Sequence, residues 1–346
     1  MAKILYGVAG EGSGHSSRAK EIINYLEGKG HLVKVLSHDR GFKNLNPYFD
    51  VEEIFGLRFD YKNNQIRPLP TIYRNFAHMP QAMKSIKKVT RIIDEFRPDI
   101  VFSDFEPISC LMANMKKIPL ISIDNQHRLN NTQIRYPKKY QADAAAAIAV
   151  INLMIFGTKA CLVTTFSQSK IKNGKTFLFP PILRREVLNI KPSIKDYILV
   201  YLTSEYSYLP DLLQLIQKKF IIYGFDKNEH SGNIRFKKAS QKEFLDDLVD
   251  CQGVIANAGF TLISEALHLG KPYLAIPLKR QFEQIYNAVE IERLGYGKHW
   301  DEIDREKIEA FLFNIDIYAK NLKKYKKEDN GKIFKKIDEL IKKYTQ

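Results

Sequence analysis

At 346 residues the chain exceeds what one hydrophobic core usually fills, so two domains are expected. Its 45% apolar and 27% charged residues are those of a soluble globular protein, and a balance of 54 Lys and Arg against 39 Asp and Glu, a formal +15, leaves three acidic partners open: nucleic acid, an anionic membrane surface or a phosphorylated small molecule. Cys110, Cys161 and Cys251 are odd in number, far apart and set in apolar segments, which excludes a metal spacing and fits a reduced, cytosolic setting.

The first apolar run, ILYGVA (4–9), is too short for a signal peptide or an anchor and reads as a strand. It ends in GVAGEGSGHSSRAKEI, where Gly10, Gly12 and Gly14 alternate and His15 precedes a helix expected over 16–29. The third glycine comes too early for a dinucleotide fingerprint, and Ser37-His38 stands where that motif has an acid. Glycine permits positive φ and close backbone approach, and a helix N-terminus concentrates unpaired N–H groups. Gly12, Ser13 and Gly14 are therefore a candidate acceptor or phosphate loop. His15 falls at the carboxyl edge of the sheet, where ligands of open α/β folds bind, and an imidazole with an ordinary pKa of about 6.5 suits a general base acting on a hydroxyl. Capping the turn is the plainer role for it.

Strands expected over 32–37, 99–103 and 119–124 alternate with helices over 73–96 and 107–116, the signature of a parallel α/β sheet. Asp104 and Glu106, in FSDFEP, follow one strand; Asp124, Asn125, Gln126 and His127 follow the next. Either group could bind an acceptor or supply an alternative base, and a capped turn explains each equally well. Basic and apolar residues mix in IYRNFAHMPQAMKSIKKVTRII (72–93) and in YPKKYQADAAAAIAVINLMIFG (136–157). The run 144–156 is shorter than the roughly 20 residues that span a bilayer. It is apolar nearly all round, as a helix buried in the domain core would be.

Pro180, Pro181 and Pro192 in FLFPPILRREVLNIKPS (177–193) oppose regular helix and favour an extended connector. The alternation then restarts, with strands over 197–202, 220–225, 253–257 and 273–277, and helices near 209–219, 241–250, 260–269 and 282–294. A Lys-rich helical stretch follows over 316–344. Two α/β halves result: residues 1–180, with 330–346 packing back on them, and residues 194–329, joined by a linker at 181–193. In the second half the turn Asn257–Thr261 opens a helix, so backbone N–H groups near Gly259, Phe260 and Thr261 are available to an anion. Glu265 lies one turn beyond Thr261 on the same face, where a carboxylate can accept two hydrogen bonds from a vicinal diol such as a ribose. Glu283 and Gln284 open the next helix. Each alone is what an ordinary helix start carries; the ordered set is the stronger signal.

That set, NAGFTLISEALHLGKPYLAIPLKRQFEQIYNAVEIERLGYG, together with the GxGxGH opening, resembles the two-domain GT-B glycosyltransferases. It is especially similar to the peptidoglycan N-acetylglucosaminyltransferase group and its microbial relatives of unassigned acceptor. The resemblance implies that Gly259, Phe260 and Thr261 line the nucleotide and diphosphate, that Glu265 holds the ribose, and that Glu283 with Gln284 holds the transferred sugar. It puts His15 beside the acceptor as base and gives Asn287 a supporting role in the loop. Where these families often carry a Gly-rich loop after the first strand of the second domain, this chain has LTSEYSYLP, with Thr203, Ser204 and Ser207 and no glycine. Ser204 is the candidate donor contact there, and uridine is the base the resemblance implies.

The expectation is an inverting glycosyltransferase of the α/β class, two Rossmann-like domains facing across a cleft, the first binding the acceptor and the second the nucleotide sugar, with neither cofactor nor metal. A sugar-nucleotide epimerase of the same fold is the alternative among enzymes. A nucleic-acid-binding protein is the alternative from another class, although the lysines are spread along the chain without a binding motif, so no nucleic-acid partner is expected. Net charge, the two mixed segments and the resemblance together point to a glycan or lipid-linked acceptor and to a cytoplasmic protein held peripherally at the anionic inner face of the cell membrane.

Overall fold

The computed structural model describes residues 1–56, 61–62, 65–66, 78–202 and 206–345. The chain divides into two compact units, one formed by 1–61, 66–184 and 328–346, the other chiefly by Arg185–Lys327. Each is built on a mostly parallel sheet with crossover helices.

Among the described residues the first sheet has seven strands: Lys3–Val8, Leu32–Ser37, Val51–Glu53, Ile100–Asp104, Leu120–Asp124, Ala160–Thr164 and Thr176–Phe179. Numbered in chain order they lie 3-2-1-4-5-6-7, all parallel, so strand order reverses between the first and fourth strands. In an open α/β sheet such a reversal opens a crevice at the carboxyl ends. The central strands are buried end to end, as a sheet covered on both faces requires. The Gly14–Gly28 helix lays Ala19, Ile22, Ile23 and Leu26 against Ile4, Tyr6 and Val8. On another side, the Pro107–Met115 helix approaches so closely that a Cβ on Gly7 would meet Ser109 Oγ at 2.0 Å.

The C-terminal helix, Gly331–Tyr344, packs back on this unit through Ile333, Ile337, Leu340 and Ile341. Phe334 stacks on Tyr25 at 4.1 Å, and the Tyr25 hydroxyl donates to Asp338. Just before the helix, buried Asn330 donates Nδ2 to the Leu183 carbonyl (2.9 Å) and accepts from the Leu183 N–H (3.0 Å), closing off the end of this unit's main segment.

The second sheet, again among the described residues, comprises Ile198–Tyr201, Phe220–Tyr223, His230–Ser231, Ile234–Phe236, Gly253–Ala256, Tyr273–Ala275 and Gly297–His299. Their order is 3-4-2-1-5-6-7, with the third and fourth antiparallel and the other pairs parallel.

Several elements differ from the sequence reading. The first helix begins at Gly14, so His15 lies inside its first turn; Gly14 occupies the first helical position, where its missing side chain costs little. The expected helix over 316–344 is two helices, Ile315–Leu322 and Gly331–Tyr344, because Asn330 is committed to Leu183. A five-residue helix, Arg185–Asn189, fits between the prolines of the expected connector. The run over 144–156 is not a core helix: Gln141–Met154 buries Ala144, Ile151 and Met154, while Val150, Leu153 (79% exposed) and Phe156 face water.

Removing the Asn330 side chain strands a buried N–H and a buried carbonyl. Asn330→Ala is expected to lower the unfolding free energy by about 1–3 kcal/mol, read as an earlier midpoint in urea denaturation.

Candidate active site

The first unit gathers its polar residues at the carboxyl ends of its first, fourth and fifth strands. The loop after the first strand is shaped by close packing: Gly10 donates its N–H to Nε2 of buried His38 (3.0 Å), and a Cβ on Gly10 would meet the His38 carbonyl at 2.0 Å. Gly12 takes φ +72°, open to glycine at no cost, and stands exposed with Ser13 at the loop tip. Ser13 is the N-cap but its side chain caps nothing, and no acid lies in the first turn, so the N–H groups there are not capped by these side chains.

His15 Nδ1 lies 2.6 Å from Asp104 Oδ1. Arg18, one turn further along the same helix, donates Nε to Asp104 Oδ2 (2.6 Å) and Nη2 to Oδ1 (2.5 Å), and Nη1 to Asn125 Oδ1 (2.7 Å). A bare Nδ1 lone pair against a carboxylate at this distance would be strongly repulsive. Nδ1 also lies 2.8 Å from Arg18 Nη2, so the bond it makes depends on the tautomer; in the one that relieves this repulsion the ring donates from Nδ1 to Asp104 and keeps Nε2 as the basic nitrogen. The His15 side chain is 15% exposed, while Asp104 is completely buried.

Asp104, a candidate acceptor contact or alternative base from the sequence, lies completely buried. Its oxygens are taken by Arg18 and His15, and it orients the imidazole. Glu106, the other candidate of this loop, accepts from Ile108 N through Oε1 (2.8 Å) and from Ser109 N through Oε2 (2.6 Å), so this buried carboxylate caps the Pro107–Met115 helix. Burial holds its pKa above the usual carboxylate range although these N–H groups pull it down. Phe105 between them takes φ +57°, a strained value for a bulky residue that turns the chain sharply at the strand end.

After the fifth strand, Asp124 accepts from the His127 backbone N–H (2.9 Å), from its Nδ1 (2.7 Å) and from Ser122 Oγ. Burial alone would raise the Asp124 pKa, but His127 and these hydrogen bonds hold it at about 2. Arg18 was not singled out from the sequence. Its signal is the His-x-x-Arg spacing, which stacks both side chains on one helix face.

In the second unit the turn at the corresponding edge is held by uncharged groups. Gly259 caps the Phe260–His268 helix, and the space where its Cβ would lie is empty. The turn before it is fixed from three sides. Asn257 Nδ2 donates to the Ile276 carbonyl (2.9 Å), the Tyr273 hydroxyl donates to the Asn257 carbonyl (2.6 Å), and Asn287 Nδ2 donates to the Ala258 carbonyl (3.0 Å). Phe260 is buried, so only its backbone can meet a ligand; Thr261 is half-buried, and Glu265 lies one turn on, 3% exposed. Arg280 at φ +63° turns the chain into the Phe282–Arg293 helix. There Gln284 Oε1 accepts from Leu278 N (3.1 Å), and Glu283 stands half-buried in the first turn. Ser204 lies outside the described residues, as does Thr203.

The chain is 27% identical over 381 aligned residues, all of both chains, to the UDP-N-acetylglucosamine–N-acetylmuramyl-(pentapeptide) pyrophosphoryl-undecaprenol N-acetylglucosamine transferase of Clostridium botulinum strain Langeland. Among solved structures, the glycotransferase of kitacinnamycin superposes with a TM-score of 0.70 at 16% identity over 98% of each chain. The Streptomyces sp. SF2575 glycosyltransferase SsfS6, complexed with thymidine diphosphate, gives 0.61 at 13% over 94% of each. These likenesses are of fold, and that fold is GT-B. Residues 2–316 match the model of glycosyl transferase family 1, and the chain therefore belongs to that family and is a glycosyltransferase.

Proposed function

We propose that the chain is an inverting glycosyltransferase that moves a sugar from a UDP-linked donor to a hydroxyl of a lipid-linked or cell-envelope glycan. The observation that carries the reading is His15, held through Nδ1 by a buried carboxylate so that Nε2 is left as a base. The acceptor binds the first unit with its hydroxyl on Nε2. As the acceptor oxygen forms its bond to the anomeric carbon, its proton passes to Nε2, and the bond to the diphosphate breaks with its electron pair leaving on the diphosphate oxygen. Developing charge there meets the helix N-terminus at Phe260 and Thr261, with Gly259, whose own N–H donates to the Asn257 carbonyl (2.9 Å), allowing close approach. Glu265 accepts from the ribose diol, and Glu283 with the Gln284 amide holds the transferred sugar. Gly12, Ser13 and Gly14 offer N–H groups to a phosphate of the acceptor, and the name of the clostridial relative supports a pyrophosphoryl-lipid acceptor.

The membrane part of the proposal rests on the Gln141–Met154 helix. Ala142, Ala145, Ala149, Val150 and Leu153 recur at helical spacing on its exposed side, with exposed Lys138 and Lys139 just before it. Phe156 and Met115 extend the apolar area, and Asn114 Nδ2 holds the Phe156 carbonyl between them. No helix among the described residues is long and apolar enough to cross a bilayer. We infer peripheral contact with an anionic surface, the apolar stripe entering the interface and the lysines meeting lipid charge. In the 72–93 segment, residues 72–77 lie outside the described residues.

Three outcomes test the reading. His15→Ala should lower kcat by roughly 10²–10⁴-fold with donor affinity retained in titration calorimetry; near-wild-type turnover removes His15 as base. Glu265→Ala should weaken binding of the UDP-sugar by about 1.5–3 kcal/mol with the fold intact by circular dichroism, and an unchanged Kd ends the ribose assignment. In sedimentation with vesicles, binding should require anionic lipid, fall with salt, and weaken in both Lys138→Glu/Lys139→Glu and Leu153→Asp. Failure to bind anionic vesicles at low salt leaves a water-borne acceptor.

A further inference from the structure

Arg18 fills the space behind His15. The Asp104 Oδ1 atom accepts from both groups, from the imidazole Nδ1 at 2.6 Å and from the guanidinium Nη2 at 2.5 Å, and Nη2 lies only 2.8 Å from Nδ1. Both members of the ion pair are buried, Arg18 at 5% exposure. A buried carboxylate alone against an imidazole favours the imidazolium, which cannot take a proton. Here the guanidinium cancels that charge at the very oxygen that orients the ring, and it leaves the orienting hydrogen bond in place.

We propose that Arg18 is a positioning residue for the transfer: by pairing with Asp104 it lets that carboxylate fix the His15 ring without drawing a proton onto Nε2. Among the described residues, Arg18 on its own helix and Asp104 at the end of the fourth strand contact His15, while Asp124, itself paired with His127, and Tyr6 on the first strand act on Arg18 electrostatically. Glu11 stands four residues before His15 in the preceding loop. Tyr6 adds no charge, since burial and then Asp104 raise its pKa well above the ordinary value. The inference rests on His15 as base, and its test separates the two claims.

The test is an NMR titration of the His15 imidazole in the full-length protein and in the folded variants Arg18→Gln, Arg18→Lys and Asp104→Asn. Arg18→Gln removes the cation and leaves the carboxylate charge, so the midpoint should rise by about one to three pH units. Asp104→Asn leaves the cation facing Nδ1, so the midpoint should fall. Arg18→Lys should stay close to the parent. Where Arg18→Gln does not fold, Arg18→Met, which also removes the cation and keeps an unbranched side chain, carries the test by the same rise. In turnover assays the acidic limb of kcat in Arg18→Gln should move up with the NMR midpoint, while the donor KM holds. A purely structural Arg18 would lower stability and leave the midpoints unmoved, and that result overturns the proposal. Wild-type activity in His15→Ala overturns the base assignment, and with it the part of Arg18 in the transfer, whatever the midpoints do. Unmoved midpoints with an inactive His15→Ala overturn the Arg18 proposal alone.

Discussion

The buried Arg18–Asp104 ion pair is the constraint around which the first unit's functional edge is arranged. Desolvating a guanidinium and a carboxylate costs on the order of several kcal/mol per ion, and their mutual attraction offsets this only if nearly every remaining donor and acceptor is matched. The fork of Arg18 meets both carboxylate oxygens, its third nitrogen finds Asn125, and the remaining acceptor capacity of Asp104 goes to His15. Because the pair joins a helix, a strand end and the next strand's loop, it fixes three segments that only the parallel topology brings together. A lysine in place of Arg18 would keep the charge but could not span these acceptors in one plane.

The second unit builds its turn from neutral groups, with Glu265 buried one turn into the helix that follows. The turn before the Phe260–His268 helix closes on itself, the Gly259 N–H donating to the Asn257 carbonyl at 2.9 Å. It is further held through carbonyls and side chains, with Tyr273 on the Asn257 carbonyl, Asn287 on that of Ala258 and Asn257 on that of Ile276. Neutral amides suit this task, because they hold the carbonyls without adding charge at the turn. The same economy appears at Gln284, which spends its oxygen on Leu278 and keeps its donors.

Much of this was legible in the sequence. Apolar runs alternating with helix-length segments gave the two α/β halves, and the glycine spacing before His15 marked the first loop. What escaped was whatever depends on long-range partners. Thr176–Phe179 is a strand because Ala160–Thr164 lies beside it, although its Phe-rich run leads into prolines that favour a connector. Asp104 and Glu106, two residues apart in one loop, looked interchangeable. One proves to orient a histidine 89 positions away and the other to cap its own helix, a distinction set by where the helix begins. Arg18 was passed over because one basic residue among 54 carries no mark until its carboxylate partner is known.

The Gln141–Met154 helix shows the same limit from the opposite side. When nearly every position is apolar, no periodicity selects an inner face, and the neighbours choose it: Ala144, Ile151 and Met154 turn inward, leaving Val150, Leu153 and Phe156 in water. Each such side chain forgoes about 1.5–3 kcal/mol relative to full burial. Apolar contact acts only when surfaces touch, whereas the charge of Lys138 and Lys139 reaches over a Debye length of about 10 Å. A face with both can be steered to an anionic surface before it touches one, and it gains its apolar term only on arrival. Neither contribution alone gives lasting attachment: a few lysines yield to salt, and this short stripe buries less than an anchor does. Such a pairing favours reversible residence over permanent anchoring.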